Sequence, residues 1–205
     1  EESGIMEEMV ERAHAHHVDP VVGYESSKFG MWLFIATELL LFGGLFTAYT
    51  IYRAKYPEMF HEQHLELNKP IGAINTVILI CSSLTMALGV TSIKRGKQEL
   101  LRLFLSLTIL FGMMFLINKY FEWGHEFRDG NYPGTSIFFS LYFMMTGLHM
   151  IHVIAGLLVL AVMLALSFTG RFSDKYNTPV ELGGIYWHLV DLIWIYLFPL
   201  LYLIG

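Results

Sequence analysis

Five ionisable side chains of this sequence, Glu38, His149, His152, His188 and Asp191, lie inside long apolar runs. A charge held in such a run is costly unless it finds a partner, a proton or a wet cavity. His149 and His152 are three residues apart, one helical turn, and share a face with Tyr142, Met145 and Gly156. Two imidazoles at that spacing can ligate a metal ion or a haem iron, but only with further donors from other segments, His188 among them. The same imidazoles can instead hydrogen-bond a carboxyl, and Glu38 is available at similar depth. His188 and Asp191 are also three apart, which allows an imidazole–carboxylate contact within one turn, with Trp187 beside it. That pair reads either as a functional intramembrane site or as a clamp that fixes helix register. Glu38 and Asp191 together would suit a small proton-coupled transporter, although inverted repeats and broken helices are missing. Lys119 and Glu122, again three apart, read as an interfacial ion pair with Trp123 as aromatic anchor.

The elements that must position these groups are membrane helices. The chain is 55% hydrophobic and 15% charged, with a mean hydropathy of +0.51; soluble domains carry about 25% charged residues. Strand-like alternation is missing, so the expected class is all-α, an integral membrane bundle. A span needs about 20 apolar residues. Five runs qualify: Phe29–Tyr52, Ile71–Ile93, Leu100–Phe121, Ser136–Phe168 and Val180–Ile204. Glu38 sits near the middle of the first, where an ionised group costs at least about 3 kcal/mol. The fourth is over-long and must tilt or extend into water. Asn75, Ser82 and Gly89 recur at seven-residue spacing in the second, a face suited to close helix contact. The organisation expected is a polar segment, 1–28, followed by one five-helix domain, 29–205.

Lys and Arg counts give an orientation. With the N-terminus inside, the inner segments hold Arg12, Lys28, Lys94, Arg95, Lys97, Arg102, Arg171 and Lys175, and the outer ones Arg53, Lys55, Lys69 and Arg128. Eight against four predicts N-in, C-out. Connections are short except Arg53–Pro70, a charged loop. His14, His16 and His17 read as part of a solvated tail, since no Cys or carboxylate is spaced to complete a metal site. The one cysteine, Cys81, excludes a disulfide framework, and no basic cluster points to nucleic acid. Nucleophile–base sets, phosphate loops and nucleotide fingerprints are not found.

Three segments carry a family resemblance: TELLLFGGLF at Thr37–Phe46, TGLHMIHVIAG at Thr146–Gly156 and YWHLVDLIWIYLFPLLYLIG at Tyr186–Gly205, with KYFEW before the fourth span. The chain resembles subunit III of the haem–copper respiratory oxidases from about Phe29 to its end. The long form of that family has seven spans; this chain lacks the first two, as short bacterial members do. The resemblance implies a multi-pass protein of the bacterial cytoplasmic membrane and an accessory, non-catalytic role in a proton-pumping, O2-reducing oxidase. Haem and copper would lie in subunits I and II, and this chain would bind none. It would pack against subunit I, hold phospholipid, and support assembly and sustained proton uptake. The family's mid-membrane carboxylate falls on Glu38, its histidine motif on His149 and His152, and its Trp-His-x-x-Asp motif on Trp187, His188 and Asp191. Cytochrome c is the expected electron donor; a quinol oxidase subunit or a nitric-oxide-reductase-associated paralogue is the alternative. The N-terminal segment and the Arg53–Pro70 loop match no family motif and are candidates for docking another component of a respiratory supercomplex.

Overall fold

A computed structural model describes residues 20–174 and 176–204. The histidines at 14, 16 and 17, and most of the expected polar segment, lie outside the described residues. Six α-helices follow in order: α1 Pro20–Lys55, α2 Pro57–Gln63, α3 Lys69–Lys94, α4 Gln98–Arg128, α5 Ile137–Phe168 and α6 Thr178–Phe198. The last runs on into a π-helical turn, Pro199–Leu203. Among the described residues, five helical segments are long and apolar enough to cross a membrane: Glu25–Lys55, Lys69–Lys94, Gln98–Arg128, Ile137–Phe168 and Thr178–Leu203. The fold is all-α, as expected, and the protein is a multi-pass membrane protein. The chain up to Thr37 forms one compact unit and the chain from Glu38 another; the packing described below is that of the second.

Local chemistry sets the helix ends. Proline occupies the first turn of α2, α3 and α6, where its missing N–H has no helical partner in any case. Asn68 accepts from the Ile71 amide at 3.2 Å to cap α3, and Ser136 accepts from the Phe139 amide at 3.1 Å to cap α5. Helices α3 and α4 end alike. Gly96 (φ 71°) and Gly130 (φ 89°) take the left-handed conformation that lets the following amides of Lys97 and Asn131 reach back to Ser92 and Glu126, each at 2.9 Å.

Helices α3, α4, α5 and α6 close a ring in chain order, each packed on two of the others. Inside it lie Leu79, Met86, Phe115, Val153, Trp187 and Trp194, all fully buried. Glycines let these backbones approach. A Cβ at Gly112 of α4 or Gly156 of α5 would fall within 2.9 Å of the Trp187 ring, and one at Gly183 of α6 within 2.8 Å of the Met163 sulfur.

Two expectations on the connections need correction. The Arg53–Pro70 stretch is not an open charged loop. It contains α2, and Phe60 is wholly buried between Tyr49 and Phe138, with ring centroids 5.2 and 5.5 Å away. His64 and Leu67 are buried as well. The alternation of charged with apolar positions there is that of an amphipathic turn folded back on the helix ends, not of a solvated strand of chain. The third span also continues past Phe121 to Arg128, because nothing in YFEWGHEFR breaks a helix before Gly130.

Candidate functional site

The candidate ionisable side chains of the spans fall into four settings. The first joins α1 to α5. Nε2 of His152 lies 2.9 Å from Oε2 of Glu38, both side chains less than a sixth exposed, although the carboxyl oxygen is not aligned for a directional hydrogen bond. The other ring nitrogen of His152, Nδ1, is 2.8 Å from the Leu148 carbonyl. That carbonyl can only accept, so Nδ1 carries a proton. The contact at Nε2 is thus a close approach of imidazole and carboxyl, with the other ring nitrogen already committed to the Leu148 carbonyl. The Phe42 edge covers the ring at 5.4 Å, and the Tyr186 hydroxyl donates to the His152 carbonyl at 3.0 Å.

His149 belongs to a different environment. It is fully buried, stacked on Trp194 at 5.4 Å and met edge-on by Phe115 at 5.5 Å, and neither ring nitrogen has a hydrogen-bond partner among the described residues. Of the two histidines expected near Glu38, the structure brings only His152 to it.

The third group lies between α3 and α6. Nδ1 of His188 is 2.7 Å from the Ser83 hydroxyl. Asp191 is 2% exposed and near the same serine, but neither of its oxygens has a partner in hydrogen-bond geometry. The His188–Asp191 contact allowed by their spacing does not form, because Ser83 takes the imidazole. Trp187, one residue earlier, turns inward and donates to the Ser82 hydroxyl at 2.8 Å. The three histidines thus occupy three separate settings, and no group of three or more His, Cys, Asp or Glu is placed to hold a metal ion among the described residues.

The fourth group is the most heavily bonded. Nζ of Lys119 donates to Oε2 of Glu122 at 3.1 Å, to the Tyr202 hydroxyl at 2.8 Å and to the Tyr142 hydroxyl at 3.3 Å, which uses all three of its N–H bonds. Oε1 of Glu122 accepts from Tyr142 at 2.9 Å and from Tyr202. The ammonium also lies 5.0 Å from the Trp194 ring centroid. Lys119 and Glu122 are 0% and 1% exposed. The ion pair expected at the interface exists, but it is enclosed by α4, α5 and the π turn and is not set against lipid headgroups. One turn further along α4, buried Glu126 accepts from Asn131 at 3.0 Å, and the same amide reaches Glu66 at 3.1 Å.

Sequence reasoning missed Tyr142, Tyr202 and Trp194 as members of this group. They sit on three separate elements, α5, the π turn and α6, and no periodicity relates residues on different elements. The signal available was Lys119 itself, a lysine within an otherwise apolar run that must be met by several acceptors if it is buried.

The sequence matches the family model described as cytochrome c oxidase subunit III over residues 5–205. Among curated proteins it is 36% identical to cytochrome c oxidase subunit 3 of Synechocystis over 94% of this chain and 80% of that protein. It is also 36% identical to the protein of the same name from Corynebacterium diphtheriae, over 85% of this chain and 86% of that one. A probable quinol oxidase subunit 3 of Staphylococcus aureus is 33% identical over 88% and 90% respectively.

Proposed function

The chain belongs to the cytochrome c oxidase subunit III family, and on that footing we propose that it is an accessory, non-catalytic subunit of a proton-pumping terminal oxidase. Membership in the family implies a complex with other oxidase subunits. Our finer reading is that this chain packs directly against subunit I, that subunit II belongs to the same complex, and that haem and copper reside in those two subunits. It holds phospholipid, helps the complex assemble, and sustains proton uptake during turnover. The observation that carries this reading is the use made of its ionisable groups. His152, His188 and Lys119 are tied to Glu38, Ser83 and Glu122 within the bundle, and His149 is boxed in aromatic rings. We further propose the N-in, C-out orientation from the Lys and Arg asymmetry, and the division into residues 1–28 and a membrane domain from 29 onward.

Cytochrome c is the donor we favour, since two relatives of that kind share 36% identity with this chain. The quinol alternative rests on the Staphylococcus aureus relative at 33%. Which subunit II co-purifies in mild detergent decides between them: a copper domain or fused cytochrome c supports the first, a subunit II without copper the second. Deleting this chain is expected to leave the initial rate of O2 reduction within about twofold of normal and to shorten the span over which that rate is sustained. An oxidase that never assembles its haem centres without the chain would contradict an accessory role.

Within this reading, Glu38 and His152 brace α1 against the bundle. Glu38→Leu or His152→Leu is expected to lower the thermal midpoint, with a coupling energy between them of about 0.6 kcal/mol, the average for polar interhelical contacts in membranes. Glu38→Gln keeps an N–H donor for Nε2 and should lose less. The haem spectrum of the partner subunits should be unchanged in all three. Additive losses in the double variant would show that the 2.9 Å contact contributes no stability.

A further inference from the structure

We propose that the seam between α3 and α6, centred on Ser83 and His188, is where a transmembrane helix of another oxidase subunit docks, and that this helix brings a polar side chain to hydrogen-bond the free ring nitrogen of His188. The inference rests on the reading of the chain as one subunit of a complex and adds the location and chemistry of a contact. His188 is ten residues into α6, about 15 Å along its axis, and Ser83 is near the middle of the 26-residue α3. Both are therefore at mid-membrane depth. Both are part-exposed on the outside of the ring, in contrast to Asn75, Thr108 and Lys119, which are fully buried.

The capacity of this group is not used up inside the chain. His188 spends Nδ1 on Ser83, and no protein atom bonds its Nε2 among the described residues. Asp191 lies beneath with two unpartnered oxygens. His188 keeps one ring nitrogen for a further hydrogen bond, as donor or as acceptor according to its tautomer. Acyl chains cannot supply a hydrogen bond at this depth, and phospholipid headgroups lie about 15 Å away. A helix bearing a polar side chain supplies that bond. The surroundings admit one. Ser83 and Ala87, one turn apart on α3, are small enough for close backbone approach, and Ile80, one turn before Ser83, is 50% exposed.

The test uses the whole complex in membranes, with Cys81→Ser as background and a benzophenone attached to a cysteine introduced at Ala87, at Ile80 or, as a comparison face, at Val162 of α5. Illumination is expected to join this chain covalently to another oxidase subunit from positions 80 and 87, at about tenfold higher yield than from 162. Adding His188→Leu should cut that yield several-fold, as expected on losing one interhelical hydrogen bond. Adducts with lipid alone from 80 and 87, in a complex that still contains its partners, would overturn the docking site and leave the subunit reading intact. A chain that purifies with no partner in mild detergent would overturn both.

Discussion

Replacing Lys119 by methionine is expected to destabilise the protein by about 3–5 kcal/mol, the cost of stripping one partner from a buried ion pair. The substitution keeps most of the side-chain volume, so the loss is electrostatic and not one of packing. It leaves Oε2 of Glu122 without its donor, and the Tyr142 and Tyr202 hydroxyls without the ammonium they share. An unmet carboxylate at 1% exposure has no water to turn to. Lys119→Met combined with Glu122→Leu should recover most of the loss, because an apolar pair of similar size is often neutral relative to a buried ion pair. Tyr202→Phe alone should cost about 1–3 kcal/mol, as it leaves one lone pair of Glu122 and one N–H of Lys119 unmet. Unfolding midpoints in mixed micelles would measure all three. If the double variant is no more stable than Lys119→Met, the attribution to an orphaned carboxyl is wrong.

The consequence reaches beyond stability. The cluster ties α4 to α5 through Tyr142 and to the end of α6 through Tyr202, while Trp194, covered by the ammonium, donates to Thr76 of α3 at 3.0 Å. One ion pair thus fixes the mutual register of the four ring helices near one end of the bundle. Loosening it should shift α6 along its axis, and with it His188 at the proposed docking seam.

How much of this is legible in the sequence depends on the kind of information required. The spans are legible because apolar length is a local property, and Glu38 is legible as a partner for one of the two α5 histidines because depth follows from position within a span. Direction around the helix is harder. Residues three apart diverge by about 60° on a helix of 3.6 residues per turn. That angle is enough to send His149 into the aromatic core and His152 towards Glu38, and to bury Asp191 while His188 stays part-exposed. Spacing shows that two residues share a broad face, but which edge of that face meets which neighbour is decided by the packing of other helices. For the same reason the sequence alone points Lys119 to the interface. Its position late in an apolar run fits an interfacial site, and only the convergence of two tyrosines and a tryptophan from other elements makes burial affordable.

Trp187→Ala carries the other large expected effect, about 3–5 kcal/mol, in line with removal of a buried aromatic. The indole is 0% exposed and lies between Gly112 of α4 and Gly156 of α5, with its N–H fixed on Ser82 of α3. Three helices therefore meet the fourth at one side chain. Gly156→Ala alone should cost about 1–3 kcal/mol as an overpacking change, since its methyl would fall 2.8 Å from a ring carbon that Ser82 and Gly112 prevent from moving. The two losses should not add. With the indole gone, the methyl at 156 enters the space it vacated, so Trp187→Ala/Gly156→Ala should be no less stable than Trp187→Ala by itself. Thermal midpoints of the four proteins in the cycle give the coupling. Simple additivity would mean that Gly156 is not there to admit the ring, and that the close approach of α5 to α6 has another cause.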